Sequence, residues 1–444
     1  MVWLFILHIP SLLCNSSFAQ QWNLSECITR ALESNFAIKI TRNTAEMAKN
    51  EANVGVFLPT LNATARQNQT RNDTKTENSI GETVSASGVK NDTYSAGVEL
   101  RWRLFDGMDM FVTYERHQEL EAMGELAMRQ EVENLMVRVC SLYYNVVLQH
   151  YRLETAAYTL ELSAERFEDA QFRYRIGKNS GLEAKQAIVD LHADSSAYVR
   201  QVEQLKNAYI SLNRVINVEL GLDSYVSDTL LMGEFLNRST LEQHVLADNT
   251  LLLMAQKEQY ISLLNLKKAR AILFPTLDFT SGYNYNRSET PSSQTVMNQA
   301  NGLYWGFSVN LPLFNRMQHR VQVKNARLKA ENAELSYMDM EKEILGDLAL
   351  LYNTYENNLL MVNFERENAI IAETNVNEAL RMFKLGTLSG IEFREFQRSY
   401  TNAVDRKFSA MYLAKISELS LQLISGNVLG NHELVMSEGR QWSL

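Results

Sequence analysis

Apolar side chains recur at alternating steps of three and four residues along two long stretches, from Leu135 to Tyr174 and from Ile344 to Phe383. This spacing puts them on one stripe of an α-helix, and its seven-residue period predicts a left-handed coiled coil. With the residues that precede each stripe, the pattern predicts helices of roughly 65 residues, or roughly 100 Å at 1.5 Å per residue. All five prolines lie outside these helices, so both are expected to run unbroken.

A short turn bracketed by two glycines ends each long helix. The motif is Tyr/Phe-x-x-Gly-x-x-x-Gly-x-Glu, from Tyr174 to Glu183 in the first copy and from Phe383 to Glu392 in the second. Every position of the motif is offset by 209 residues between the copies. Two glycines four apart can adopt positive φ, so one helix can end there and another begin. The repetition predicts an internally duplicated chain.

Shorter helical patterns come before two pairs of predicted strands. One helix is predicted over residues 24–54, and its second copy over residues 241–273. A Pro-Thr-Leu sequence follows each helix, beginning at Pro59 and at Pro275. Proline cannot continue a helix and is tolerated at the first position of a strand, so each motif predicts a change from helix to strand.

The segments Tyr94–Leu104 and Leu303–Leu313 alternate between apolar and polar side chains. About ten residues with one apolar face and terminal aromatics are typical of a transmembrane barrel strand, although a half-buried strand of a soluble sandwich has the same pattern. The polar segments Gln69–Asp92 and Asn286–Asn301 are predicted to be long external loops of two hairpins. Four strands cannot close a barrel, so the barrel interpretation requires a ring of identical chains.

Residues 1–19 have the features of a secretory signal peptide. Val2–Leu13 is an apolar run too short to span a bilayer, and Ser17-Phe18-Ala19 offers small residues for cleavage. Cys14 follows the bulky Leu13, which argues against lipidation of its thiol. No later apolar run is long enough for a transmembrane helix. A membrane role would therefore rest on the strands.

The composition argues against several classes of function. A net charge of −9 disfavours nucleic-acid binding, which requires a basic surface. Cys27 and Cys140 lie in different predicted helices and are interpreted as two free, buried thiols. The histidines are scattered and the methionines are spread singly, so neither a metal site nor a cofactor is predicted. Without a recognisable catalytic motif, the chain is not expected to be an enzyme.

The order of these elements is helix, two strands, long helix, glycine turn and helix, followed by all of it again, and it resembles the TolC family of outer-membrane exit ducts. The resemblance covers the mature chain and also includes Leu104-Phe105-Asp106-Gly107 and Leu313-Phe314-Asn315-Arg316, where a strand gives way to a long helix. It implies an α+β membrane protein in the outer membrane of a Gram-negative bacterium, extending into the periplasm. Three chains would share a transmembrane β-barrel of twelve strands, four from each chain, above a periplasmic α-barrel of coiled-coil helices.

The resemblance also divides the chain into segments. Residues 1–19 are assigned to the signal peptide, 20–218 to the first structural repeat, 219–240 to an equatorial linker, 241–425 to the second repeat and 426–444 to a C-terminal tail. The linker and the tail would form a belt around the α-barrel.

The glycine turns would lie at the periplasmic tip, where adaptor hairpins dock and the duct is closed at rest. The residues assigned to the turns and to docking are Tyr174, Gly177, Lys178, Gly181, Glu183, Phe383, Gly386, Thr387 and Gly390. Glu392 and Glu395 match acidic residues that line the entrance in the family, and in a trimer they would form a ring of carboxylates that favours cations. Solvated acids beside Arg394 and Arg398 are the alternative.

Two positions of the second turn depart from the family. Well-known relatives have Tyr and Arg where this chain has Phe383 and Leu388. Phe383 lacks a hydroxyl for hydrogen bonding and Leu388 cannot pair with a carboxylate, so closure of the tip is expected to rest on apolar packing. The first copy has Glu183 but Gln186 at the ranks of the acidic pair, and only the second copy keeps both acids.

The function implied by the resemblance is a passive exit duct for small molecules, such as drugs and toxic compounds. Its partners would be two further copies of the chain, a periplasmic adaptor (membrane fusion) protein, an inner-membrane transporter of the RND or ABC type, and outer-membrane lipid, with no nucleic acid. Metal efflux and type I protein secretion use the same duct architecture and stay open as alternatives. A non-channel coiled-coil structural protein of the periplasm is the alternative from a different class.

Overall fold

The computed structural model describes residues 21–428, except for 78–79, 179, 219–224, 227–229, 231–232, 234 and 292–295. The predicted signal peptide with Cys14, most of the predicted linker and the end of the predicted tail lie outside the described residues. The helices are α1 Leu24–Ser34, α2 Phe36–Glu51, α3 Asp109–Arg175, α4 Gly181–Ile216, α5 Arg238–Asp248, α6 Thr250–Ala271, α7 Gln318–Leu385 and α8 Gly390–Ile424. The strands are β1 Gln21–Trp22, β2 Thr60–Glu77, β3 Thr83–Phe105, β4 Tyr225–Val226, β5 Thr276–Glu289 and β6 Met297–Asn310.

The chain forms two compact units, and each takes segments from both halves of the sequence. The helical unit comprises the described residues up to 42, residues 127–253 and the described residues from 340 onward. The sheet unit comprises residues 43–126 and 254–339. The assignment of 20–218 and 241–425 as structural repeats stays a prediction.

The two long helices are confirmed. α3 contains 67 residues and α7 contains 68, and each is continuous because no proline interrupts it. Within the part of the chain that the structure describes, no helix is both long enough and apolar enough to cross a membrane.

The predicted single helices over 24–54 and 241–273 are wrong, because each is broken at an asparagine. Asn35 separates α1 from α2, and Asn249 separates α5 from α6. At each break the asparagine has an extended backbone, and its side-chain oxygen accepts a hydrogen bond from a backbone N–H of the next helix, at 2.8 Å for Asn35 and 2.9 Å for Asn249. Asparagine side chains cap new helices well, so the chain can turn there at little cost.

The core of the helical unit packs α1, α3 and α4 around large side chains. Tyr143, Leu212 and Ile216 are among its fully buried members. Cys27 and Cys140 are buried in the same core and neither forms a disulfide bond, which confirms the prediction for both. Desolvation by burial raises the pKa of Cys140 to about 12.

The sheet unit contains one antiparallel sheet in the strand order β2-β3-β5-β6. The register pairs Ala63 with Val98, Val98 with Tyr283, and Tyr283 with Leu303 across the four strands. Side chains in such a row point to the same face, and the next residue along each strand points to the other face. Within the described residues, β2 and β6 each have a strand on one side only.

The polar segment predicted as a loop over 69–92 is largely strand, so that prediction is wrong. β5 ends where its Glu289 pairs with Asp92 of β3. Beyond that point β2 and β3 pair only with each other, from the pair Thr70–Asn91 to the pair Glu77–Thr83. We call residues 70–77 and 83–91 the ribbon. Threonine favours strands, but the many polar residues of this segment led to its prediction as a loop.

The ribbon contains a β-bulge that is stabilised by the side chain of Asp73. The register shifts between Asn72 and Thr74, and the intervening Asp73 carboxylate accepts hydrogen bonds from Ser87 Oγ and Gly88 N, both at 2.6 Å. Gly88 has a φ of 68°, which glycine adopts without strain.

The second predicted loop, over 286–301, is also shorter than expected. β5 continues to Glu289 and β6 begins at Met297. At its other end β6 stops at Asn310 rather than at Leu313, because Pro312 has no N–H for a ladder hydrogen bond.

Candidate functional site at the glycine turns

The two glycine turns have the same backbone geometry. In the first, Gly177 N donates to Tyr174 O at 3.0 Å and Lys178 N donates to Arg173 O at 2.9 Å. The second copy repeats both bonds 209 residues later, at 2.9 and 3.0 Å. Gly177 and Gly386 have φ of 75° and 80°, as the glycine that closes a helix in this way requires.

The helices that follow the turns begin differently. Ser389 and Glu392 form a capping box, in which the Glu392 carboxylate accepts from Ser389 N at 2.9 Å and from its Oγ at 2.8 Å. Ser180, at the same rank in the first copy, makes no side-chain cap bond. The hydrogen bond from the Ser389 backbone, followed by that from its hydroxyl, lowers the pKa of Glu392.

The second turn encloses an aromatic pair. Phe383 is 2% exposed and its ring stacks on that of Phe393, with centroids 5.4 Å apart. Leu388 packs against the same cluster, together with Leu162. The two side chains that replace the polar residues of the family therefore lie in an apolar core within one chain. Tyr174, which has the rank of Phe383 in the first copy, is 52% exposed.

Arg173 connects the first turn to the end of α7. Its guanidinium donates to Phe383 O at 2.8 Å and to Lys384 O at 3.2 Å, and its carbon lies 5.3 Å from the centre of the Phe383 ring. It also forms an ion pair with Asp169 at 2.7 Å. Lys384 in turn pairs with Glu165 of α3. A cation at the C-terminal end of a helix satisfies its free carbonyl groups, so each hairpin stabilises the other.

A buried polar network lies further along the same helices. Arg394 of α8 makes two hydrogen bonds to the Asp194 carboxylate of α4, with Nη2 to Oδ1 at 2.8 Å. Gln397, fully buried, donates to Thr159 O and to Ser163 Oγ of α3, both at 2.8 Å. We call Ser163, Asp194, Arg394 and Gln397 the polar network. The hydrogen bonds to Asp194 raise the pKa of Arg394.

A second buried guanidinium joins α3, α4 and α8 beside the polar network. Arg166 pairs with Asp190 and donates to Gly390 O at 3.2 Å. Sequence reasoning missed this connection and the polar network, although the polar Ser163 within an apolar stripe was a usable signal. Arg394, which the alternative interpretation named as a neighbour of the acidic pair, forms an ion pair with Asp194.

Four of the remaining predicted site residues are exposed. Lys178 and Thr387 are exposed in the two turns, and the Thr387 hydroxyl donates to Met382 O at 3.0 Å. Glu392 and Glu395 are both exposed on the first turns of α8. Among the described residues, no group of three or more His, Cys, Asp or Glu could hold a metal ion. The ring of carboxylates stays a prediction.

The sequence matches the family described as outer membrane efflux protein over residues 27–218 and 241–427, which is most of the chain. The chain belongs to this family. It is thus an outer-membrane efflux channel of the kind found in tripartite systems, and its location is the outer membrane. Members of the family are channels rather than enzymes.

Similar proteins agree with this assignment. The cation efflux system protein CusC of Escherichia coli (strain K12) is 21% identical over 338 residues, which cover 72% of this chain and 70% of CusC. The probable outer membrane lipoprotein SilC of Salmonella typhimurium is 20% identical over 348 residues, or 75% and 73% of the two chains. The Campylobacter jejuni CmeC outer membrane channel superposes with a TM-score of 0.77 at 15% identity, covering 91% of this chain and 85% of CmeC, which indicates a common fold.

Proposed function

We propose that the chain is one third of a passive exit duct, in which three copies join their sheets and an adaptor opens the tip. The observation that carries this proposal is that, in the part of the chain that the structure describes, the edge strands β2 and β6 each have a neighbour on one side only. If β6 of one copy pairs with β2 of the next, three sheets close into a barrel of twelve strands and no edge is left free.

The outward face of the sheet suits a bilayer. Trp102, Phe279 and Phe307 lie in one row of this face, and Val98, Tyr283 and Leu303 lie two rows further along. Phe307 and Leu303 are more than half exposed, although they are large and apolar. The apolar side chains of β5 extend from Leu277 to Tyr285, roughly 27 Å at about 3.4 Å per residue. On strands tilted by about 40°, that length spans roughly 21 Å along the membrane normal, which is close to the apolar band of about 25 Å on outer-membrane barrels.

The turns supply an accessible surface for an adaptor. Ile176, Leu182, Leu385 and Ile391 are about half exposed or more, and Lys178 adds a positive charge. Exposed apolar side chains beside charged ones are typical of a protein–protein contact. The partners we propose are a periplasmic adaptor (membrane fusion) protein and an inner-membrane transporter of the RND or ABC type, which would supply the energy. The chain itself would have no catalytic activity.

Small molecules such as drugs and toxic compounds are the proposed cargo. Cation efflux is the second candidate, because CusC is named as a cation efflux system protein and because Glu392 and Glu395 are exposed where they could attract cations. Type I protein secretion is a third use of such a duct.

Photo-crosslinking in the native cell tests the proposal. A photoreactive residue replaces Lys178 or Thr387, and captured proteins are identified by mass spectrometry. We expect capture of an adaptor: one that accompanies a proton-driven pump indicates small-molecule or cation efflux, and one that accompanies an ATP-driven transporter indicates peptide or protein secretion. The control position is Ile80, in the β2–β3 turn that the proposal places outside the cell. Absence of capture at both turns, with a protein that is soluble without detergent, would refute the duct.

A further inference from the structure

The polar face of the sheet carries both positively and negatively charged side chains. We define this face by the strand residues that alternate with the outward apolar ones. Its charged members from the helix-connected end to the end of β5 are Arg66, Glu99, Arg101, Arg103 and Asp278. They comprise three cations and two anions, so the face has an excess of one positive charge in each chain.

The charges nearest the helix-connected end are paired within the chain. Arg101 forms an ion pair with Glu99 at 3.0 Å, and Arg103 pairs with Asp278 at 2.9 Å. Tyr304 also donates to Glu99 at 3.0 Å, so that carboxylate has two donors. Formal charges at this end of the polar face therefore cancel.

Arg66 is the excess charge. Its row across the sheet contains Ser95, Asn286 and Ala300, and none of these side chains is charged. The adjacent rows of the same face contain only small or uncharged side chains: Thr64, Gly97, Asn284 and Gly302 on one side, and Asn68, Thr93, Ser288 and Asn298 on the other. Arg66 is exposed, and among the described residues no carboxylate comes within ion-pairing distance of it.

The position of Arg66 along the strands places it near the outer limit of the apolar band. On the outward face, Ala65 lies in the last row in which apolar side chains predominate. In the next row outward, Gln67 and Arg287 lie beside Tyr94, and polar side chains predominate. Arg66 is between these two rows in sequence but points to the other face, so it lies at the depth where the proposed membrane ends.

We propose that the three Arg66 side chains of the trimer form a basic ring in the lumen, close to its outer opening, that binds the anionic groups of passing solutes. This inference rests on the proposed function, because threefold symmetry is what brings the three residues to one height. Guanidinium groups bind phosphate, sulfonate and carboxylate through paired hydrogen bonds, and a ring of like charges selects permeant ions by sign. The ring favours export of molecules that carry an acidic group.

Planar-bilayer recording of the purified trimer tests the ring. The probe is inositol hexakisphosphate, a compact polyanion, added in turn to each side of the membrane at low KCl so that screening is weak. The protein is compared with Arg66→Gln and with Arg71→Gln. Arg71 lies on the same strand but on the outward face, in the ribbon, so its replacement removes the same charge from outside the lumen.

We expect the probe to block the current from the outer side. In Arg66→Gln the half-blocking concentration should rise on the order of tenfold, while Arg71→Gln should behave like the unaltered protein. If the half-blocking concentration is the same in Arg66→Gln, or if the unaltered channel is not blocked, the proposal of a basic ring is overturned and the proposal of an exit duct is not. A purified protein that forms no channels overturns the proposed function together with the ring.

Discussion

Arg394 and Asp194 form a two-bonded ion pair that joins α8 to α4, with Nη2 of the arginine 2.8 Å from Oδ1 of the aspartate. Both side chains are largely buried, and Ser163 and Gln397 complete the polar network around them. The two hairpins of one chain are thus connected by charge as well as by the apolar cluster of Phe383 and Phe393.

Removing the aspartate from this pair should be costly. Asp194→Ala leaves the Arg394 charge buried without its partner, and we expect a loss of about 3 kcal/mol in the free energy of unfolding. Thermal unfolding in detergent measures it. Arg381→Met is the matched control, because Arg381 pairs with Glu378 on the surface, where an ion pair contributes little. A similar loss in both variants would contradict the prediction.

The double variant Asp194→Ala with Arg394→Met tests the cause of that loss. Replacing the arginine by an apolar side chain of similar length removes the uncompensated charge, so stability should return in part. If the double variant is less stable than Asp194→Ala alone, then lost packing rather than buried charge explains the effect.

Replacing glycine by alanine should destabilise the protein at some positions of the helical unit and stabilise it at another. Gly177→Ala and Gly386→Ala put a Cβ on residues with positive φ, and each should cost about 1 kcal/mol. Gly346→Ala lies inside α7 with open space around the new methyl, and it should stabilise the helix by about 1 kcal/mol. Apparent unfolding temperatures rank the stability of the three variants. A higher unfolding temperature for Gly386→Ala would be inconsistent with the turn geometry.

The capping box predicts a pH dependence at the start of α8. Because the folded state lowers the pKa of Glu392 from its usual 4.5, the cap is fully present above that value and is lost as the pH falls through the lower, folded value. Hydrogen exchange of the peptide that contains Ser389, corrected for intrinsic rates, should rise in acid. In Glu392→Ala, which removes the acceptor of the capping box, exchange should be fast at neutral pH already, whereas Glu395→Ala should leave the profile unchanged.

Cys140 should be inert to thiol reagents in the folded protein. Its pKa of about 12 means that almost no thiolate exists at pH 8, and the side chain is buried as well. Labelling should occur only after unfolding, while a cysteine introduced at the exposed Thr387 should react at once. Because the pKa is raised on folding, the stabilising effect of the neutral thiol is present below the usual value of 9.0 and is lost as the pH rises toward 12.

Periodicity predicted the long helices and the glycine turns well, because both depend on local sequence. The capacity of Gly177 and Gly386 for positive φ and the seven-residue stripe need no tertiary contact. The ribbon was missed because its strands have no apolar face, so their pairing depends on a partner strand and on the Asp73 bulge. The polar network was missed for a related reason: nothing in the spacing of Arg394 shows that Asp194, 200 residues earlier, lies beside it.

The ribbon determines which part of this protein is exposed at the surface of the cell. In the proposed orientation it is the part of the chain that projects beyond the membrane, and Ile80 in its turn is 83% exposed. Antibodies and bacteriophages recognise such projections, and changes there need not disturb the rows of the shared sheet. We therefore expect variation among strains of the source organism to concentrate in residues 74–86, where immune and phage selection can act without affecting export.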